Sequence, residues 1–120
     1  MATIKPEINE IGRWTYVAIW RGMASGDDAE PIKLAGSNDR TAQVIGTFGG
    51  ASVSIDGSLE IYPATATNFA TLTDPQGLAL TFTAGKVEAI TELTNLIKPT
   101  LTGGGGSTLV DVYLLVRGGD

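Results

Sequence analysis

The chain has 120 residues, no cysteine and no histidine, and 8 basic against 13 acidic residues, for a net charge of −5. It therefore has no thiolate or imidazole, the usual zinc ligands, cysteine nucleophiles and histidine bases, and its charge repels a phosphate backbone. With 42% hydrophobic residues, one domain with an ordinary core is expected, needing neither disulfide nor metal.

Residues 1–12 mix Ile4, Ile8 and Ile11 with Lys5, Pro6, Glu7 and Glu10. Carboxylates stand where a signal peptide would need its apolar run, so no secretory leader is expected, and no stretch approaches the length of a membrane span. Pro6 lacks the amide that a central ladder requires. The segment is expected to be an extended arm or edge strand, packed on its own domain or lent to a neighbour, with a single domain over 13–120.

From Arg13 to Arg21, Trp14, Tyr16, Ala18 and Trp20 share one parity, and Thr15, Val17 and Ile19 the other. A strand apolar on both sides is either central in a covered sheet or has one face committed to a partner. Core packing is the bland reading of Trp14 and Trp20; a sugar-binding or subunit-contact surface is the sharper one. Residues 22–38 read as a break. Its carboxylates Asp27, Asp28 and Glu30 raise a calcium hypothesis, but the spacing does not match an EF-hand loop and suits a solvated tip. Within it, Glu30 to Ala35 alternates enough for a short strand.

Alternation is clearest around Gly49-Gly50, with Val44, Gly46 and Phe48 before the pair and Val53 and Ile55 after it. Two glycines between alternating segments predict a tight turn, and the two segments are expected to pair as an antiparallel hairpin. A further strand is predicted over LEIYP (59–63), ended by Pro63. Asp74-Pro75-Gln76-Gly77 predicts a type I turn into a strand over LALTFT, with Leu78, Leu80 and Phe82 on one face. In the next segment Val87, Ile90, Leu93 and Ile97 recur at spacings of three and four. We expect a helical turn over Glu88 to Leu93, then a strand from Thr94 to Leu101. The run TGGGGS (102–107) reads as a slack hairpin connection, mobile unless something holds it; no Lys follows as a phosphate loop would require. The last run alternates Val110, Val112, Leu114 and Val116 with Asp111, Tyr113, Leu115 and Arg117, a strand with one uniformly apolar face.

Seven to nine short strands, at most one short helical turn and no repeat predict an all-β fold, an antiparallel β-sandwich or jelly roll. A serine nucleophile would have to use Lys as its base. Paired carboxylates drawn from Asp56, Glu60, Asp74, Glu88, Glu92 or Asp111 would need a cleft that a small sandwich seldom offers. No enzyme, cofactor or metal is expected.

The succession GTFGGASVSIDGS, NFATLTDPQGLALTFTAGKVEAITEL and IKPTLTGGGGSTLVDVYLLVR resembles small structural proteins encoded among the virion genes of tailed bacteriophages. The match runs over Gly46 to Ala51, Gly57-Ser58, Asn68-Phe69, Leu72 to Gly77, Thr81-Phe82, Lys98-Pro99, Gly103 to Gly106 and Leu109 to Arg117, about two-thirds of the chain in its strand-and-turn pattern. It departs at Phe69, where the family pattern has Trp, at Lys98, where it has Arg, and in the longer LEIYPATAT segment. The resemblance implies a head decoration or cement protein on the capsid surface, assembled in the host cytoplasm. Its partners would be the major capsid protein and further copies of itself, as a dimer or trimer, with no nucleic acid or membrane. The contact residues expected on that reading are Ile4, Ile8 and Ile11 on the arm and Trp20. The alternatives are a neck or tail component, or a carbohydrate-binding module using Trp14, Tyr16, Trp20 or Tyr62 as stacking platforms.

Overall fold

The computed structural model describes residues 2–34 and 37–118. Their strands are β1 (Thr3–Ile4), β2 (Glu7–Gly12), β3 (Thr15–Met23), β4 (Asp28–Ala29), β5 (Ile32–Lys33), β6 (Ser37–Thr47), β7 (Ala51–Ser58), β8 (Ala70–Thr71), β9 (Thr81–Phe82), β10 (Lys86–Ala89), β11 (Leu96–Gly103) and β12 (Leu109–Gly118). The alternation that marks β12 most plainly also makes it central. It lies between β6 and β3 in an antiparallel sheet of order β10-β6-β12-β3-β2. Val110, Val112, Leu114 and Val116 are each 2% exposed or less. A second antiparallel sheet, β5-β11-β7-β8 with β9 also on β7, packs over that apolar face. The molecule is an all-β sandwich, with β1 and β4 forming a two-stranded parallel strap.

The core lies between the sheets. Ala18, Trp20, Ala42, Val44, Val112 and Leu114 from the first sheet share one buried cluster with Val53, Ile55, Phe82 and Ile97 from the second. Each valine, leucine, isoleucine or phenylalanine among them, removed from water, stabilises the fold by about 1.5–3 kcal/mol.

The alternating segments on either side of Gly49-Gly50 form strands, but not a hairpin. β6 pairs with β12 and β10, whereas β7 pairs with β11, β8 and β9, so the glycine pair is a crossing from one sheet to the other. Both glycines have positive φ, and the Ala51 amide donates to the Phe48 carbonyl to close the turn. Side by side in one sheet, Val44 and Val53 would both need a cover; face to face across the interlayer, they cover each other. Gly46 is needed for a second reason. It pairs with Val110 at a φ of 125°, and a Cβ there would sit 2.4 Å from the Leu109 carbonyl oxygen.

Other expectations are corrected. No helical turn forms over Glu88 to Leu93. Lys86–Ala89 is an edge strand, and the amides that follow are spent on other strands and loops: Ile90 extends the pairing with β6 by donating to the Arg40 carbonyl, and Thr91 donates to the Thr73 carbonyl. The predicted strand over LEIYP is a loop, because the short β8 takes the place beside the end of β7. The glycine run after Thr102 joins strands of different sheets, and it is held: Thr108 Oγ1 donates to the Phe48 carbonyl and accepts from the Gly105 amide. The expected strand at Glu30 to Ala35 is reduced to β5, with Ala35 outside the described residues. The turn at Asp74 to Gly77 forms as predicted, the Gly77 amide donating to the Asp74 carbonyl, but the strand expected after it shrinks to β9, and Leu78 is exposed while Leu80 and Phe82 are buried.

Glu92 ties the segment between β10 and β11 to the rest. Its carboxylate accepts from the Thr73 amide at 2.8 Å and from the Thr73 hydroxyl. These bonds hold its pKa below the usual carboxylate value, the hydroxyl contributing most. Favouring the charged form only in the folded state adds stability above the ordinary carboxylate pKa of 4.5, lost as pH falls through the depressed folded value. Glu92→Gln should therefore lower stability at neutral pH and flatten its fall on acidification below about pH 4.5, as urea titrations across pH will read. Gly46→Ala should lower unfolding stability by about 2 kcal/mol or more, through strained φ and backbone collision, in the same measurement.

Candidate docking face

Every two-layer sandwich has two outer faces, and here they differ in chemistry. On the second sheet, cross-strand register places Lys98, Asp56 and Thr71 in one row, Thr100, Ser54 and Thr81 in the next, and Thr102 beside Ser52. Asp56 sits between two of these hydroxyls, accepting from Thr71 Oγ1 at 3.0 Å and from Thr100 Oγ1 at 2.6 Å. Lys98 lies 3.4 Å from Asp28 and over the Phe69 ring. A face of paired hydroxyls and charges is suited to water.

The outer face of the first sheet is different. Its rows read Val87, Gln43, Tyr113, Ile19, Glu7 and then Ala89, Thr41, Leu115, Val17, Asn9. No layer covers it among the described residues. Val17, Thr41, Ala42, Gln43, Val87, Tyr113 and Leu115 line a shallow groove of about 250 Å³. Val87 is 56% and Ile45 38% exposed, Val17, Tyr113 and Leu115 are half-buried by their neighbours in the sheet, and Ile19 is buried. At the β2 border Arg21 Nε meets Glu7 Oε2 at 2.9 Å, which raises the Arg21 pKa, and Asp111 lies on its other side at 4.0 Å. The face is an apolar centre with a paired Arg21 between two carboxylates at its border, the composition of an interface core with a polar rim.

The site residues expected from the sequence divide. Ile8 and Ile11 are 54% and 62% exposed on β2, an edge strand with no buried residue. Ile4 is partly buried and packs on the core through the β1–β4 strap, so the arm lies on its own domain. Trp20 is corrected: it is 1% exposed in the interlayer, its Nε1 donating to the Glu30 carbonyl at 2.9 Å, and it offers no contact to a partner. Trp14, on the turn between β2 and β3, is 57% exposed at a φ of 60°, with Arg13 over its ring. The acidic run is committed internally. Asp27 accepts from the Ala2 and Ala24 amides and Asp28 pairs with Lys98, and no group of three or more acidic side chains among the described residues could hold a metal ion.

Two features escaped sequence reading. Val87, Gln43, Tyr113 and Leu115 come together only through the ladder, although the two-sided apolarity of β3 had signalled a committed face. In the loop after β7, the Glu60 carboxylate accepts from the amides of Thr67 and Asn68 while its carbonyl accepts from Asn95 Nδ2. That ordering displays Leu59, Ile61 and Tyr62 at 76%, 60% and 70% exposure.

Compared with protein-family models, with curated proteins and with solved structures, the chain matches none.

If the outer apolar face serves binding and not folding, Leu115→Lys should change unfolding stability by about 1 kcal/mol or less. Ile55→Ala, in the interlayer, should cost about 2–5 kcal/mol. Chemical denaturation of both variants measures the contrast.

Proposed function

We propose that this chain is a structural protein of a tailed-phage virion, a decoration or cement protein that seats on the major capsid protein and stabilises the shell. The observation that carries the reading is the split between its outer faces, one a polar Ser/Thr face with Asp56 bonded to Thr71 and Thr100, the other an apolar groove bordered by the Arg21–Glu7 pair. A small domain with one face for water and one for a neighbour is built to be fixed in place. The resemblance in strand-and-turn pattern supplies the kind of neighbour. Repetition over a symmetric lattice would let a modest face hold durably. A net charge of −5 supports a protein partner over nucleic acid.

The carbohydrate-binding alternative loses Trp20, which lies in the core, and Tyr16, which packs against it, and keeps only the exposed Trp14 and Tyr62.

The test is co-sedimentation of the purified chain with heads of the phage that encodes it, followed by thermal disruption of the decorated heads. Saturable binding and a higher disruption temperature are expected. Leu115→Lys should weaken binding at least tenfold, and replacing Ile8 and Ile11 with Ser should weaken it while the domain stays folded. Absence of binding to intact heads would overturn the proposal.

A further inference from the structure

Five strands border the two sheets, the two-residue β9 among them, and they are not equally guarded. β5 and β8 are two residues long, and β10 is four residues with Lys86 at its start. β2 is six residues, wholly exposed, and carries no lysine. Its bulge lies between Glu10 and Gly12, so Glu7 to Glu10 presents a regular row of backbone donors and acceptors with Ile8 half out in water. Glu7, Glu10, the preceding Pro6 and the bulge guard this edge only in part, and its length leaves it the most open template of the borders for another strand.

We infer that β2 pairs antiparallel with β2 of a second copy, about a two-fold axis at Ile8. The choice of strand and register follows from side-chain chemistry. A symmetric antiparallel pair places one residue opposite its own twin. Centring on Glu7 or Glu10 would oppose two carboxylates, and centring on Asn9 would set Ile8 against Glu10. Centring on Ile8 sets isoleucine against isoleucine and Glu7 against Asn9, and leaves Pro6, which has no amide to donate, opposite Glu10.

The pairing also completes the docking face. From strand spacing, the apolar part of one outer face covers about 20 Å by 14 Å, roughly 300 Å². Seated on a partner it would bury about 600 Å² in total, below the roughly 1,000 Å² expected of a specific interface. Joining two first sheets edge to edge makes one ten-stranded sheet whose outer faces are continuous, and doubles that area. The use of the doubled face rests on the decoration reading; the pairing itself is tested without a capsid.

Because the chain has no cysteine, Ile8→Cys introduces a single thiol. Under mild oxidation it should cross-link to a covalent dimer, while Glu88→Cys on the opposite edge stays monomeric. Light scattering at moderate salt should give the mass of a dimer for the unmodified chain. Ile8→Lys, which places two like charges on the axis, should give a folded monomer that binds heads at least tenfold more weakly. A strictly monomeric unmodified chain with no Ile8→Cys cross-link overturns the inference, as does a dimer that persists in Ile8→Lys. A dimer that cross-links at Ile8 yet ignores heads upholds the pairing and removes the decoration reading.

Discussion

The structure depends on the mutual burial of two apolar sheet faces. Val44, Val112 and Leu114 on one side, with Val53, Ile55 and Ile97 on the other, form a core that neither sheet could shield alone. The chain reaches that arrangement by crossing between sheets at the β6–β7 turn and again at the loop before β12. Thr108 joins the two crossings by bonding the Phe48 carbonyl. Burial supplies the driving force, and the glycines supply the backbone freedom to bring the faces together.

Once the inner faces are used up, the outer faces are left to differ. Asp56 is bonded to Thr71 and Thr100 on the second sheet, so that side needs only water. Val17, Val87, Tyr113 and Leu115 have no such closure on the first sheet. A sandwich whose two sheets are both required for its core thus presents one finished surface and one unfinished one, and the proposed attachment to a shell uses the second. The open edge of β2 belongs to the same sheet, so edge pairing and face docking would extend one surface.

Buried polar groups show how closely the ends of the sandwich are tied. Arg40 is 4% exposed, its Nε donating to Ser37 Oγ at 2.8 Å, and burial pushes its pKa down from the ordinary arginine value. Glu92, Glu60 and Asp27 each turn a loop by accepting backbone amides. Carboxylates that sequence reading weighed as catalytic or calcium-binding groups therefore hold loops through charge-assisted hydrogen bonds.

What the sequence determined by itself was periodicity. Alternation is a local property, so β3, β7, β11 and β12 could be read from their residues, as could the Asp74–Gly77 turn and the absence of long helices. The two-sided apolarity of β3 even announced that one face was committed elsewhere. Only the tertiary structure decided partners. Gly49-Gly50 serves a hairpin and an inter-sheet crossing equally well, because both need positive φ, and which one forms depends on strands fifty residues away. Spacings of three and four in Val87 to Ile97 suited a helical turn until the amides of Ile90 and Thr91 found acceptors on Arg40 and Thr73. Trp20 could be core or contact by type, and it is core because a second sheet lies over its parity. The docking face joins residues from four strands that no local pattern groups, since register across a ladder is fixed by the whole fold.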